Sequence, residues 1–395
     1  MAALLVVAVL AAISHSEAVK ANSVSFASEY RHPPNGICVD YTIKQDVTST
    51  NYIWDLEKFT SNFDTIEFLT ELARKDSKTV YHPVSSNPKN ETKTYEVSAT
   101  FCSPKKANYG KDKIVLLATH GLGYDRRYWA SAWKPKDYSF VDFALDKGYS
   151  VFFYDRLGVG KSQIVSGYVN QGSIQLALLE RLVELVRAGK YTGSIGKPKN
   201  IVLVGHSFGS FLSNAVISDQ RNLVDGVVLT GIAYANATDL ATADSGWGLE
   251  AFAARIAKFQ DKKWSNRDTG YLNFGDIYGH VNGFFKAPNY DIPTVEYAQA
   301  IAQPFAALEF VSTKLFNLNA SAFKGPVMVT AGENDLLLCG GECKSTFSSG
   351  VAEQTFKSSK DLNLYVHPGA GHGVNFGFNA TVFYGKITAF LDKNF

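Results

Sequence analysis

Apolar and polar positions alternate over Ile37 to Val47 and again over Lys93 to Phe101, the period of strands with one wet face. Between them Trp54, Phe59, Phe63, Ile66, Leu69 and Leu72 recur at mostly helical spacing, which predicts one or two amphipathic helices inserted in a first hairpin. Pro83 and Pro88 then mark an irregular link. From Lys113 onward the rhythm changes. Apolar-rich stretches at Ile114 to Ala118, Tyr149 to Tyr154, Ile201 to Val204, Val224 to Thr230, Pro326 to Ala331 and Asn363 to His367 predict strands, the first of them a buried one. Helical patterns fall between and after them at Ser139 to Lys147, Ile174 to Ala188 and Ala380 to Asn394. Such alternation predicts an α/β protein with a mainly parallel central sheet and helices on both faces.

One interval breaks the alternation. Residues 232–325 are too many for a crossover and carry aromatic residues throughout, including Trp247, Phe252, Trp264, Phe274, Phe284 and Phe285. Their mostly helical character predicts a cap inserted after the sixth strand. The expected division is therefore a leader at 1–18, an N-terminal extension at 19–112, a core at 113–231 and 326–395, and the cap at 232–325.

Gly205-His206-Ser207-Phe208-Gly209 sits between an apolar strand and a segment able to form a helix. A strand, a sharp turn with serine at its tip and a helix make a nucleophile elbow. Side chains flanking the serine would collide with neighbouring backbone, so glycines stand there. The strained backbone pushes the serine hydroxyl out above the sheet.

A serine hydroxyl needs a base, and the base an orienting acid. Behind such an elbow the acid comes next in the chain and the histidine last. His372, in Gly369-Ala370-Gly371-His372-Gly373 just past the last strand, is the expected base. His367 reads as a structural residue at the strand end, and His280, in the cap, as one that could touch substrate. Asp335, after the strand that ends at Gly332, is the expected acid, with Glu333 as the alternative. Two N–H donors must face a developing oxyanion. Phe208 supplies one, and Leu122 in His120-Gly121-Leu122-Gly123 the other.

Gly158-Val159-Gly160-Lys161-Ser162 resembles a phosphate loop, but Asp155 stands where that signature needs glycine. The stretch reads as a turn with Asp155 and Arg156 paired internally, and no nucleotide cofactor is expected.

Composition narrows the partners. The chain has 395 residues, 46% of them apolar, and a formal net charge of +2, which leaves no basic excess to neutralise nucleic-acid phosphates. Met1 to Ile13 is small and apolar and too short to span a bilayer, so it reads as a secretory signal. Four cysteines suit an oxidising compartment. Cys38 and Cys102 fall opposite each other if the first two strands pair antiparallel. Cys339 and Cys343 bracket a short glycine loop that could close on itself. Free pairs are the alternative, and zinc is not expected because no histidine completes a ligand spacing. Sequons begin at Asn90, Asn236, Asn319 and Asn379, candidate glycan sites in a secreted protein.

With Ser207, Asp335, His372, the His120–Gly123 loop and the Asp155–Ser162 turn in order, the chain resembles the α/β-hydrolase superfamily, specifically its capped serine hydrolases of the esterase and lactonase kind. Its extended N-terminal region and cysteines resemble secreted fungal members. The resemblance implies an acyl-enzyme route through Ser207, His372 and Asp335, with Leu122 and Phe208 as the oxyanion hole and no cofactor. Serine at the elbow speaks against epoxide opening and dehalogenation, which use aspartate there. The implied substrate is a small hydrophobic ester or lactone. An iminopeptidase-like enzyme shares fold and triad, and would draw a substrate amine to cap acids such as Glu250, Asp261, Asp268, Asp276 or Glu296. A non-catalytic binding protein would not need an intact triad. Oligomeric state is not legible.

Overall fold

A computed structural model describes residues 30–235 and 254–395, apart from residues 75, 107–109 and 220. The expected leader, the Asn236 sequon, Trp247, Glu250 and Phe252 lie outside the described residues.

Eight strands form the central sheet: β1 (Gly36–Asn51), β2 (Lys89–Pro104), β3 (Ile114–Thr119), β4 (Ser150–Tyr154), β5 (Asn200–His206), β6 (Gly226–Thr230), β7 (Val327–Gly332) and β8 (Leu362–His367). Their spatial order is β1-β2-β4-β3-β5-β6-β7-β8. β2 runs antiparallel to both β1 and β4, and every pairing from β4 to β8 is parallel. All six residues of β3 are buried, whereas β1, at one edge, is exposed along much of its length. That contrast is the difference between a strand covered on both faces and one with a wet face.

Helices Gly172–Arg187, Phe208–Ser218 and Ala380–Asn394 cover the sheet. The first buries Ile174, Leu178, Leu182 and Leu185, which recur at three- and four-residue steps. Helix Phe140–Asp146 begins where the Ser139 hydroxyl accepts the Asp142 N–H at 3.2 Å.

Between β1 and β2 the expected helical segment is narrower than its apolar spacing suggests. Helix Asn62–Ala73 starts at a Ser61 cap, while Trp54 is extended and bridges Val84. Trp54, Phe59, Phe68 and Tyr168 gather into one aromatic cluster, so packing and not helical period sets that spacing.

The chain leaves the sheet after β6 and returns at β7. The described part of this excursion holds helices Ala257–Gln260, Ile277–Phe284, Ile292–Ile301 and Ala307–Ser312. It also holds a small antiparallel sheet of Arg255–Ile256, Tyr271–Asn273 and Phe305–Ala306, whose two- and three-residue strands are too short to register as a sequence period.

Cys38 and Cys102 are register partners across β1 and β2 and form a disulfide, as do Cys339 and Cys343. In the chain-entropy account a cross-link stabilises more when it closes a longer loop. The sequence separations are 64 and 4. Replacing Cys38 and Cys102 together by alanine is expected to lower the urea-unfolding free energy by about 4 kcal/mol, against about 2 kcal/mol for Cys339 and Cys343. Equal losses would contradict this ranking.

Among the fully buried histidines are His120, His206 and His280. Burial holds His120 and His206 well below the ordinary histidine range, and brings His280 to about 4. Below pH ~6.5 the unfolded chain binds protons at these sites that the folded chain refuses. Their contribution to stability is therefore complete above pH ~6.5 and is lost as the pH falls, by about 1.4 kcal/mol per pH unit per histidine. Urea titrations between pH 7.5 and 4.5 should show this decline. A flat profile would refute it.

Candidate active site

Ser207 stands at the tip of the turn from β5 into helix Phe208–Ser218, with φ 52° and ψ −120°. This backbone is strained for a residue with a side chain, and its surroundings hold it in place. The Ser207 N–H donates to Thr230 O on β6 at 2.9 Å. A Cβ added at Gly205 would lie 2.5 Å from Ser210 Cα, and one at Gly209 only 2.1 Å from Thr119 O. Both glycines of the elbow are thus required by backbone approaching backbone.

Asp335 caps the short helix Leu336–Cys339 through Oδ1, which accepts the Leu338 N–H at 3.0 Å. Its Oδ2 meets His372 Nδ1 at 2.7 Å, and both side chains are fully buried. Glu333 turns elsewhere. It accepts the Gly369 N–H at 2.8 Å and pairs with Lys344. The Cys339–Cys343 loop does not displace Asp335: the Cys339 and Gly341 N–H groups both donate to Asp335 O, at 3.2 and 3.0 Å.

The His372 loop lies against the end of β7, where a Cβ on Gly332 would sit 2.2 Å from Gly371 O. The His372 ring is 4.8 Å from that of His206, the residue preceding Ser207, and Phe284 of the cap packs edge-on against it at 5.0 Å. His372 Nε2 is buried and has no hydrogen-bond partner among the described residues, the Ser207 hydroxyl included. Hydrogen bonds of this kind commonly tighten only when substrate binds. The structure therefore brings Asp335 and His372 into contact and sets their pair beside the elbow that carries Ser207.

The loop after β3 closes the other side. A Cβ on Gly121 would lie 2.8 Å from Ser207 Cβ, so Gly121 packs directly against the serine. Among the described residues, neither the Leu122 nor the Phe208 N–H donates to a main-chain carbonyl. The cap grips this loop. Gln303 N–H donates to Gly123 O at 2.9 Å, and Tyr124 Oη meets His280 Nε2 at 2.6 Å.

That contact corrects the reading of His280 as a residue open to substrate. Both its nitrogens are engaged, Nδ1 with Gln299 Oε1 at 2.8 Å, and its ring stacks on Phe274 at 4.2 Å. Asp155 and Arg156 do not pair with each other either. Neighbours at a strand end face opposite ways. Asp155 turns to the Arg126 and Lys161 N–H groups, at 3.0 and 2.8 Å, and Arg156 pairs with Glu309. Burial, reinforced by Asp125, raises the Asp155 carboxyl to about 6. His367 is buried at the end of β8, its Nδ1 3.0 Å from Tyr365 Oη. Among the cap acids, Asp261, Asp268 and Asp276 accept main-chain N–H groups of their own loops.

Two partnerships escaped the sequence: Tyr124 with His280, and Arg156 with Glu309. Each joins a core loop to the cap across more than a hundred residues, and no local period marks it. Among the described residues, no group of three histidine, cysteine or acidic side chains could hold a metal, and no helix is long and apolar enough to cross a membrane.

Comparison with solved structures returns the same fold at low identity. An esterase from Thermogutta terrifontis is 18% identical, with a TM-score of 0.50 over 75% of this chain and 94% of its own. A protein of Mycobacterium tuberculosis, described as a candidate non-heme bromoperoxidase, is 13% identical, with a TM-score of 0.51 over 76% and 96%. A hydrolase from Pseudomonas aeruginosa is 16% identical, with a TM-score of 0.50 over 75% and 94%. A comparison with curated protein sequences found no match. Residues 114–382 match the alpha/beta hydrolase family, and with the strand order and the elbow described above, the chain belongs to that family.

Proposed function

We propose that this protein is a secreted serine hydrolase that cleaves a hydrophobic carboxylic ester or lactone. The observation that carries the reading is the buried Asp335–His372 pair, 2.7 Å long, beside a serine held at φ 52°. Asp335 orients the imidazole through Nδ1, leaving Nε2 to act as base. Ser207 Oγ attacks the substrate carbonyl as its proton passes to Nε2. The carbonyl oxygen becomes an oxyanion facing the Leu122 and Phe208 N–H groups. Collapse of the intermediate expels the alkoxide, which takes the proton from His372, and leaves an acyl ester on Ser207. Water, deprotonated by the same imidazole, then releases the acid. Phe284 against His372 supports an apolar acyl or alcohol group. Two disulfides support an oxidising compartment.

A fluorophosphonate probe should label the wild type at Ser207 and leave Ser207→Ala unlabelled. That variant should remain folded and lose p-nitrophenyl ester turnover by about 10⁴- to 10⁶-fold. Near-normal turnover would remove Ser207 from the mechanism. Asp335→Asn should cost about 10³- to 10⁴-fold in kcat, and Glu333→Gln less than about twofold. The reverse order would move the acid to Glu333. Asn90 and Asn319 are exposed, so protein from a glycosylating host should lose mass on treatment with a peptide N-glycosidase. An unchanged mass would count against their modification.

A further inference from the structure

Behind the Gly121–Leu122 peptide lies a buried ion pair to which the proposed mechanism gives no role. Arg156 leaves the end of β4, and its guanidinium meets Glu309 from cap helix Ala307–Ser312. Both side chains are only 1% exposed. A buried pair of this kind is weak evidence of a stabilising role, because apolar side chains of similar volume often serve as well. What the guanidinium touches is more specific. Its Nε donates to His120 O and its Nη2 to Gly121 O, both at 3.1 Å.

The Arg156 main-chain N–H donates to His120 Nε2 at 3.1 Å. That nitrogen must therefore be the acceptor of the neutral ring, and the proton sits on Nδ1. His120 Nδ1 lies 2.9 Å from Gly121 O and donates to it. The Gly121 carbonyl thus receives two N–H bonds. A trans peptide points its C=O and N–H in opposite directions. Fastening Gly121 O to Arg156 and His120 therefore fixes the Leu122 N–H on the opposite side of that peptide. Donors on the carbonyl also polarise the peptide, and linked hydrogen bonds strengthen one another by about 10–30%. The same guanidinium lies 4.6 Å from the ring of Phe208, the residue that bears the second N–H.

We infer that Arg156, clamped by Glu309 of the cap, is a positioning residue for the oxyanion site: it sets the direction and donor strength of the Leu122 N–H, and makes both depend on the cap being seated. The inference rests on the serine-hydrolase reading above. Its contribution belongs to the transition state, where the oxyanion exists, and hardly to substrate binding.

The test compares wild type, the double variant Arg156→Met with Glu309→Met, and Arg156→Lys. The double variant removes both buried charges together, so neither is orphaned. The lysine keeps the charge opposite Glu309 but lacks the planar fork that bridges two carbonyls. kcat and KM are measured on a p-nitrophenyl ester, and affinity on an alkyl boronic acid, whose serine adduct places a negative oxygen in the oxyanion site. For the double variant kcat is expected to fall about 10- to 100-fold, the boronate affinity by a similar factor, and KM to stay within about twofold. Arg156→Lys should lose about three- to tenfold in kcat, again without a change in KM. A folded double variant, or a folded Arg156→Lys, whose kcat and boronate affinity stay within about twofold of wild type overturns the inference. So does a loss confined to KM. A wild type that neither hydrolyses esters nor binds the boronate overturns the triad reading and this inference with it.

Discussion

Backbone contact between the turn after β5 and the end of β3 is the constraint on which the site depends. With only 2.1 Å between a would-be Gly209 Cβ and Thr119 O, the first turn of helix Phe208–Ser218 meets the end of β3 with no side chain between. A turn that tight leaves Ser207 in a conformation costing about 1–3 kcal/mol, which persists only because its surroundings over-determine it. Here they do: β3 is wholly buried, β5 nearly so, and the Ser207 N–H is tied to β6. The strain and the close approach are one fact, and together they set the serine among the loops that follow β3, β7 and β8.

The cap contributes more than a roof. Gln303 holds Gly123, His280 holds Tyr124, Glu309 holds Arg156, and Phe284 O accepts the Gly373 N–H at 2.7 Å. Helix Ile277–Phe284 thus touches the loop after β3 near one end and the histidine loop at the other. Lifting the cap would separate Arg156 from Glu309, its carboxylate partner. The arrangement ties the seated cap to an ordered site through electrostatics as well as apolar contact.

The acid shows where local reading stops. Glu333 and Asp335 share one loop and one chemistry, and the sequence favours Asp335 while leaving Glu333 open. Cysteine spacing is ambiguous in the same way, since four cysteines allow three pairings. In both cases partners distant in the chain decide. His372 approaches Asp335 and leaves Glu333 to Lys344, and the register of β1 on β2 puts Cys38 opposite Cys102.

By itself the sequence determined what depends on neighbours within a few residues: the succession of strands, the amphipathic helices, the serine elbow with its two glycines, and the long interruption before β7. These follow from apolar periodicity and backbone sterics, which act locally. Only the tertiary structure decided the partners of Arg156, Asp155 and His280, and the small sheet inside the cap. A charged or titratable side chain is ordinarily a surface residue. Whether it is instead buried and matched depends on which distant segment folds over it, and no local pattern records that choice.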